Sequence, residues 1–522
     1  MDIIEKPDLP GFRTDNRSTQ TRFHFHMDLC VGCHACEVAC SEQNGLPVDT
    51  QWRRVGEVEG GEYPDTLRFF LSSGCNHCLD APCAKGCPVD AYKIDERGIV
   101  IHQADVCIGC QYCTWNCPYS VPSFQPERGV VSKCDMCVNR LEESREPACA
   151  QACPAGAIEI ETVPLEEVLT TYEDAGAAPG MPAPEISMPS TKITLPEGVD
   201  PSSLHPVTSD FVEPEEPHSP LIFMTVLTQI GLGGFAAIYA VDLLRSLSGA
   251  VQLAGTALGT LAAVLMGLIG LSLAASTLHL GRPAFAFRAI RNWRTSWLSR
   301  EVLALTLFAK VAFAYAAFLL ATEGLGWVSA EALGGVGARL SLGAGAVTAG
   351  IVGIYASARL YRVPARPAWN FRKTTADFFA VAWIVGPAVL ALALVLGGEA
   401  GLSVQVAALV AALALLAYAK LHSDFVCHLA ESETFELKAS AKLYRDHFAR
   451  LRKYKNGAAL LALIGLLTLG VGAVSIAAAT LGVAGLVAYV FLQRYLFFTT
   501  VVGTNIAGNF IVEAHRSVAR RG

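Results

Sequence analysis

The sequence predicts an α+β half that holds most of the cysteines, followed by an all-α half of eight transmembrane helices. Sixteen of the seventeen cysteines precede His218, in four groups of four. Up to His218 the chain has 15 Lys and Arg residues against 35 Asp and Glu, and from Ser219 onward it has 25 against 12. Long apolar runs are confined to the second part. We therefore expect one half in water and the other in lipid.

The composition divides the chain into three segments. Residues 1–165 hold the cysteines and are expected to form the α+β domain. Residues 166–218 are rich in Pro, Glu, Gly and Ser, which bury little apolar surface, so an extended linker over neighbouring surfaces is expected. Residues 219–522 form the membrane half. Met1–Gln20 lacks the apolar core of a signal peptide, so we expect no export of the cysteine-rich half.

Eight apolar runs approach the length of about 20 residues that a membrane-spanning helix needs. A buried soluble core is the alternative, but eight runs in succession favour a membrane bundle. Their Ala, Gly and Leu content is typical of helices that pack closely in lipid. The expected spans are Pro220–Asp242, Leu253–Leu278, Val302–Ala321, Leu340–Ala358, Phe378–Gly397, Leu402–Ala419, Gly457–Thr480 and Gly482–Val502.

An even number of spans places both ends of the membrane half on one side. Residues 282–300, 359–373 and 420–455, all on that side, hold eighteen Lys and Arg residues, whereas the other side offers Arg245 and little else. Cytoplasmic loops accumulate Lys and Arg. We therefore expect a multi-pass protein of a prokaryotic inner (cytoplasmic) membrane, with the cysteine-rich half facing the cytoplasm.

The spacing of the cysteines predicts iron–sulfur clusters. The quartets are Cys30, Cys33, Cys36 and Cys40; Cys75, Cys78, Cys83 and Cys87; Cys107, Cys110, Cys113 and Cys117; and Cys134, Cys137, Cys149 and Cys153. The first and third have the C-x2-C-x2-C-x3-C spacing of bacterial ferredoxins, in which three thiolates hold one cluster and the fourth reaches a second. Four quartets predict an α+β ferredoxin-like double two-cluster module with four 4Fe–4S clusters, bound by all sixteen cysteines.

Structural zinc is the competing interpretation of paired C-x2-C motifs. Zinc ligands usually stand as two plus two, whereas here three cysteines fall within seven residues in two places. A disulfide framework is disfavoured in a cytoplasmic domain. The insertion between Cys137 and Cys149 is equally compatible with a partner-docking surface and with filler.

Three motifs resemble those of the iron–sulfur subunits of the dimethyl sulfoxide reductase family of molybdoenzyme complexes. They are Cys75-Asn-His-Cys through Cys87-Pro, Cys107-Ile-Gly-Cys-Gln-Tyr-Cys, and Lys133-Cys-Asp-Met-Cys. The resemblance implies a series of clusters, with cluster one nearest a catalytic subunit and cluster four nearest the membrane. It implies these ligands: cluster one, Cys30, Cys33, Cys36 and Cys153; cluster two, Cys134, Cys137, Cys149 and Cys40; cluster three, Cys75, Cys78, Cys83 and Cys117; cluster four, Cys107, Cys110, Cys113 and Cys87.

The membrane half resembles the anchor subunit of the same family. The matching stretches are Pro220-Leu-Ile-Phe-Met-Thr-Val-Leu-Thr-Gln229, His279-Leu-Gly-Arg-Pro283, Ser296-Trp-Leu-Ser-Arg-Glu301 and Arg494-Tyr-Leu-Phe-Phe498. In the best-known members these subunits are separate chains, whereas here they are fused. The resemblance implies a quinol site that includes His279 and Glu301.

The same residues are candidates on chemical grounds. Oxidation of quinol removes two protons, which requires acceptors, and ionisable groups at a membrane edge are functional candidates. His279 closes the second expected span and Glu301 opens the third. The alternatives are an interfacial histidine, and a helix capped by Ser299 whose dipole favours Glu301. Nearby Arg282 and Arg300 either steady the quinone site or are ordinary cytoplasmic-side charges.

Arg494 lies within the eighth expected span, where an unpaired charge is costly. We expect its side chain to snorkel to the cytoplasmic side, to pair with a carboxylate such as Asp377, or to act at the quinone site. Gln229, in the first span, is expected to form an interhelical hydrogen bond.

A haem-bearing anchor is the rival to direct transfer from quinol to cluster four. Only His279, His422 and His428 come near membrane edges and none is mid-span, so no haem is expected. We expect Cys427 to be a lone reduced cysteine and not a metal ligand.

The predicted function is that of an electron-transfer and membrane-anchor subunit. It would exchange electrons with menaquinol or ubiquinol in the membrane and relay them to a separate molybdopterin-containing catalytic subunit, with no nucleic acid as partner. If electrons flow in the opposite direction, the same clusters and quinone site would serve a sulfite:quinone oxidoreductase. A membrane-tethered polyferredoxin without quinone chemistry is the third possibility.

Overall fold

The computed structural model describes residues 17–48, 50–173, 178–207, 212–248 and 255–504. In its cysteine-rich half, short strands and helices surround the cysteine loops. The strands are β1 Thr19–His26, β2 Arg54–Glu62, β3 Asp65–Ser73, β4 Tyr92–Ile94, β5 Val100–His102, β6 Ser123–Gln125, β7 Val130–Ser132, β8 Ile158–Pro164, β9 Lys192–Thr194 and β10 Leu204–Pro206. The helices are α1 Ala35–Asn44, α2 Pro82–Gly86, α3 Tyr112–Asn116, α4 Val138–Glu142, α5 Ala148–Gln151 and α6 Leu165–Thr171.

These strands form two three-stranded sheets, in the orders β8-β1-β9 and β10-β2-β3, and the hairpins β4-β5 and β6-β7. Strand β1 pairs with β8 in antiparallel and with β9 in parallel orientation. The acidic segment expected to be a linker, residues 166–218, therefore contributes one strand, β9 or β10, to each three-stranded sheet.

The core of this half includes the cysteine loops themselves. Phe23 and Phe25 alternate along β1 and share one of its faces. They belong to a buried cluster with Cys36, Cys134 and Cys149. The apolar face of the sheet therefore supports the loops that carry candidate cluster ligands.

The membrane half is all-α, which confirms the predicted fold class. Its long helices are α7 Ser219–Ser248, α8 Gly255–Thr277, α9 Trp297–Leu319, α10 Gly335–Tyr361, α11 Arg372–Leu396, α12 Leu402–Glu431, α14 Ala449–Gly470 and α15 Ile476–Thr499, with the short α13 Phe435–Lys442 between α12 and α14. Seven of the described helices are long and apolar enough to cross a membrane. The remaining one, α14, is the helix at the seventh expected span, and it begins with the cationic sequence Ala-Arg-Leu-Arg-Lys.

Several helices extend beyond the expected spans; α12, for example, continues past Ala419 to Glu431. The expected second span begins at Leu253, which lies outside the described residues. The expected span Gly457–Thr480 is wrong as one helix, because α14 ends at Gly470 and α15 begins at Ile476. Gly472 has a positive φ of 90° in the turn, and the Ser475 side chain caps α15 by accepting from the Ala478 N–H. A continuous apolar run conceals such a turn, because Gly and Ser also occur within membrane helices.

Helix α3 joins the two halves. Tyr112 and Trp115 belong to the core of the membrane bundle, and the Tyr112 hydroxyl donates to the Leu360 carbonyl oxygen at 2.9 Å. The Trp115 ring centroid lies 5.8 Å from that of Tyr361 and 5.5 Å from that of Trp369. Buried aromatic rings in this geometry contribute large apolar areas, so the cysteine loop that leads into α3 is fixed to the membrane half.

Candidate iron–sulfur centres and the adjoining cavity

The cysteine loops have the backbone shape that wraps around a compact group. Gly32 and Gly109, each just before the second cysteine of its motif, have φ of 65° and 68°. His34 and Gln111, just after that cysteine, have φ of 59° and 58°. These left-handed positions turn the N–H groups inward, and the Gly109 N–H donates to the Cys107 sulfur at 3.3 Å.

In the first module, the structure brings together cysteines from distant quartets. Burial raises the pKa of the Cys30 thiol, and nearby Cys153 raises it further. Burial raises the pKa of Cys40 to about 12, with Cys149 and Cys137 adding to the effect. Cys30 therefore neighbours the last cysteine of quartet four, and Cys40 lies among the others of that quartet.

The second module has the same crossed arrangement. Burial raises the pKa of Cys117 to about 11, with Cys75 contributing. Burial likewise raises the pKa of Cys87 to about 11, with Cys107 contributing, and raises that of Cys110, with Cys87 as the next cause. The remaining candidate ligands, Cys33, Cys36, Cys78, Cys83, Cys113 and Cys134, are also free thiols.

This donor set fits iron–sulfur clusters. Burial disfavours thiolates unless positive charge compensates them, and iron in a cluster supplies that charge. Backbone N–H groups point at the sulfurs, as where Ala91 donates to Cys87 at 3.2 Å and Ala157 to Cys153 at 3.3 Å. Hydrogen bonds of this kind tune cluster potentials.

Two cations are buried among the cysteines, a position that was not predicted from the sequence for either of them. Lys133 is 3% exposed, and its Nζ donates to the Cys75 sulfur at 3.6 Å and to the Cys134 carbonyl oxygen at 2.7 Å. Arg53 is 4% exposed and has Cys149 and Cys36 as its strongest favourable charge partners. In the sequence, the position of Lys133 directly before Cys134 was the one indication that it lies near a cysteine group. No sequence feature indicated this for Arg53.

The loop before α9 attaches the membrane half to the third cysteine motif. The Gly281 N–H donates to the Gly109 carbonyl oxygen at 3.2 Å, and the Arg282 N–H donates to that of Ile108 at 3.1 Å. A Cβ added to Gly281 would collide with the backbone of Gly129. Only glycine therefore permits this approach.

The same loop binds the segment around Cys87. The Asn292 side-chain amide donates to the Cys87 carbonyl oxygen at 2.9 Å, and the Ser296 hydroxyl donates to that of Gly86 at 2.7 Å. The alternative in which Ser299 caps the helix is wrong. Helix α9 begins at Trp297, and the Ser299 hydroxyl instead donates to the Pro88 carbonyl oxygen at 3.3 Å.

A cavity of about 210 Å³ lies at this junction. The titratable side chains in its walls are Cys110, Tyr112, His279, Glu301 and Tyr361. The rest of the lining is Trp115, Leu221, Met224, Leu273, Ser276, Thr277, Leu298, Val302, Leu305, Thr306 and Leu360. The structure thus brings both predicted quinone-site residues and one candidate cluster ligand to the walls of one largely apolar space.

His279 is oriented as a proton acceptor. It lies just after α8, and its Nδ1 is hydrogen-bonded to the Ser276 carbonyl oxygen. Because a carbonyl only accepts, Nδ1 carries the proton and Nε2 keeps its lone pair. Burial, with a smaller contribution from His218 and against the opposing effect of the hydrogen bond to Ser276, lowers the pKa of His279 to about 4, so the ring is neutral at physiological pH.

Glu301 lies in the first turns of α9 and is 3% exposed. Its Oε1 has no hydrogen-bond partner among the described residues. An unsatisfied buried carboxylate oxygen is costly and is most often explained by function or by an absent ligand. Neither Arg282 nor Arg300 lines the cavity; Arg282 donates to the Ala104 carbonyl oxygen at 3.0 Å.

Arg494 is buried between helices and does not line the cavity. It donates to Gln229 Oε1 at 2.9 Å and its guanidinium carbon lies 3.9 Å from the Phe378 ring centroid. Gln229 therefore forms the predicted interhelical hydrogen bond. Among the described residues, Arg494 forms no direct salt bridge with Asp377, which pairs with Lys373 at 2.6 Å and acts on Arg494 only as a nearby charge.

His218, directly before α7, is a residue whose position at this site the sequence did not predict. Its ring packs edge-on against Trp115, which lines the cavity, with centroids 5.0 Å apart. It also interacts electrostatically with His279 and with Glu215 and Glu216 of the acidic segment. The signal available in the sequence was a histidine beside an acidic stretch at the first helix.

The other expected histidines and Cys427 lie elsewhere. His422 accepts hydrogen bonds in a buried polar group, with Lys373 Nζ at 3.3 Å and Gln493 Nε2 at 3.1 Å from its Nδ1. Cys427 is exposed, and Arg445 donates to its sulfur at 3.4 Å. His428 is exposed near it.

Cysteine loops attached to an apolar helical bundle define a membrane-anchored iron–sulfur electron-transfer subunit. Residues 67–163 match the 4Fe-4S dicluster domain, and residues 215–500 match the DMSO reductase anchor subunit (DmsC). The chain therefore belongs to the DMSO reductase anchor subunit family, with an iron–sulfur half fused before the anchor. Both predicted resemblances are confirmed.

Curated relatives match the iron–sulfur half. The protein is 33% identical to an anaerobic dimethyl sulfoxide reductase chain of Haemophilus influenzae, over 33% of its own length and 87% of the relative. It is 34% identical to the anaerobic dimethyl sulfoxide reductase chain of the same type from Escherichia coli, over 34% and 89%. It is also 36% identical to a sulfite dehydrogenase subunit of Allochromatium vinosum, over 27% and 67%.

Proposed function

We propose that this chain passes electrons between membrane quinol and a separate molybdopterin-containing catalytic subunit, through four 4Fe–4S clusters bound by its sixteen N-terminal cysteines. The observation that carries the proposal is the shared cavity, in which Cys110, His279 and Glu301 are all wall residues. Clusters bound by cysteine thiolates accept and donate single electrons. With a ligand of cluster four in the cavity wall, electron transfer from quinol requires no intervening haem.

The cavity supplies two proton acceptors for a two-proton reaction. His279 offers Nε2 and Glu301 offers its unpartnered Oε1. Ligand pockets commonly reach about 300–1,000 Å³, so a cavity of about 210 Å³ suits a quinone ring whose isoprenoid tail remains in lipid. Menaquinol and ubiquinol both meet this description.

The cluster assignment rests on the crossed proximities within each module. Cys153 beside Cys30, and Cys40 beside Cys149, support clusters one and two. Cys117 beside Cys75 supports cluster three. Cluster four, which includes Cys87 and Cys110, is the one nearest the anchor.

We infer that the clusters face the cytoplasm, from the excess of Lys and Arg in the loops on the cluster side. The catalytic partner would then also be cytoplasmic. The relatives named as dimethyl sulfoxide reductase chains favour electron flow from quinol to a sulfoxide-like acceptor. The relative named as a sulfite dehydrogenase subunit supports the reverse direction, with sulfite or another sulfur compound as donor, as the second candidate.

The decisive variant is His279→Ala in the purified full chain. Loss of a proton acceptor costs about 10²–10⁴ in rate, so cluster reduction by a quinol analogue, followed by bleaching of visible absorbance, should slow by at least 100-fold. Iron content should stay at about sixteen per chain, four for each cluster. His428→Ala is the matched control, since this exposed histidine lies outside the cavity.

Unchanged reduction in His279→Ala, with full iron content, would show that quinol oxidation does not require this proton acceptor. Absence of reduction by quinol even in the wild type, with full iron content, would favour a tethered polyferredoxin. Zinc in place of iron in the wild-type chain would instead remove the basis for electron transfer, and metal analysis distinguishes this outcome from the other two.

A further inference from the structure

A pair of histidines and a glutamate lie together on the β8-β1-β9 sheet. His24 and His26 are two residues apart on β1, so their side chains leave the same face, and their ring centroids are 4.0 Å apart. Glu159 on β8 is the cross-strand partner of His24. One ligand atom from each of the three residues lies within 4.8 Å of the others.

The ring nitrogens are arranged as in metal-binding histidines. His24 Nε2 is hydrogen-bonded to Thr194 Oγ1 on β9 at 2.8 Å, which leaves Nδ1 available. A hydrogen bond at one ring nitrogen commonly orients the other toward a metal. His26 Nε2 is buried and has no hydrogen-bond partner among the described residues, and it lies 3.5 Å from Glu159 Oε2.

The surrounding charges leave one carboxylate available. Glu161, whose Oε1 lies 3.8 Å from His24 Nδ1, is held by Arg22 at 2.6 Å. In the part of the chain that the structure describes, Glu159 has no Lys or Arg in a salt bridge, and its side chain is 61% exposed. It can therefore turn toward an ion at little cost, despite the positive charge of neighbouring Lys192.

We propose that His24, His26 and Glu159 bind one divalent transition-metal ion, with zinc as the ion that this ligand set suits. Two imidazoles and one carboxylate, with water in the fourth position, are an established zinc environment. Strand β1 leads directly to Cys30, and β8 follows directly after Cys153. The ion would link the two segments that supply ligands to cluster one. This link to cluster one rests on the proposed function, whereas zinc binding itself does not.

Zinc retention by the purified full chain tests the site. After equilibration with zinc and gel filtration, the wild type should keep about one zinc per chain, while His26→Gln should bind more than about 100-fold more weakly, because even an outer-shell loss costs 10–100-fold. Thr194→Val, which removes that outer-shell partner, should fall in the 10–100-fold range. Iron content should be unchanged in both variants.

His205→Gln is the matched control. His205 faces Glu59 across β10 and β2, with Nε2 and Oε1 3.6 Å apart, but no second histidine of the described residues joins them in a candidate metal site. It should retain zinc like the wild type. X-ray absorption at the zinc edge should show nitrogen and oxygen ligands, including imidazole, and no sulfur.

Three results would overturn the proposal: no retained zinc in the wild type, equal retention in wild type and His26→Gln, or sulfur in the zinc shell. The last would place zinc in the cysteine groups, and would count against the proposed function as well. Loss of the site alone leaves the electron-transfer proposal intact. If zinc is bound as proposed, its removal by a chelator should hasten iron loss from the wild type but not from His26→Gln.

Discussion

The buried charge of Lys133 should set the reduction potential of the cluster beside it. Its Nζ lies 3.6 Å from the Cys75 sulfur, and the side chain is 3% exposed. Replacement by Met keeps most of the volume and removes the charge. Because an added electron makes the cluster more negative, a neighbouring cation favours reduction, and Lys133→Met should lower the potential.

The magnitude follows from the distance. Two unit charges about 4 Å apart interact by about 4 kcal/mol at an effective dielectric constant of about 20. An added electron is spread over the cluster, whose centre lies farther from Nζ than the sulfur does, and a separation of about 7 Å reduces the interaction to about 2.4 kcal/mol. For a one-electron couple about 1.4 kcal/mol corresponds to 59 mV, so we expect a decrease of about 100 mV.

Redox titration of the full chain, followed by electron paramagnetic resonance, measures this shift. Lys133→Arg should stay near the wild-type potential because it keeps the charge. Lys93→Met is the matched control: Lys93 is exposed on β4, and screening should limit its effect to less than about 15 mV. If Lys133→Met keeps full iron content and every cluster stays within about 20 mV of its wild-type potential, the assignment of Lys133 to a cluster environment is wrong.

Three further predictions concern the junction of the two halves. Because the pKa of His279 is lowered to about 4, the rate of quinol oxidation should stay constant as the pH decreases through 6.5, the ordinary imidazole value. The rate should fall only near pH 4, where the ring gains a proton and can no longer accept one. A midpoint at pH 6.5 in a stopped-flow pH series would contradict the proposed site. His218→Gln should slow cluster reduction by about tenfold, less than loss of His279, since His218 reaches the cavity only through its packing on Trp115 and its electrostatic effect on the neutral ring of His279. An unchanged rate would limit His218 to packing. Gly281→Val should displace the loop that contacts Gly129 and abolish reduction of the clusters by quinol, while dithionite still reduces them. A wild-type rate of reduction by quinol would show that this close contact is dispensable.

The local spacing of the chain determined much of this protein. Thiolates within one tight loop, such as Cys107, Cys110 and Cys113, are brought together by a few consecutive dihedral angles, so their common purpose is visible in the sequence. Apolar runs likewise determine membrane helices residue by residue, because each backbone amide is satisfied within its own helix. His279 and Glu301 were found because ionisable groups are rare at such positions.

Packing between distant segments decided the rest. The proximity of Cys30 to Cys153, the partner of Arg494, and the burial of Arg53 and Lys133 all depend on contacts across many residues. The turn between α14 and α15 was hidden because its Gly and Ser are equally at home within a membrane helix. Above all, the cavity exists only where the anchor loop meets the third cysteine motif, a contact made by backbone groups whose hydrogen bonds carry no side-chain signature.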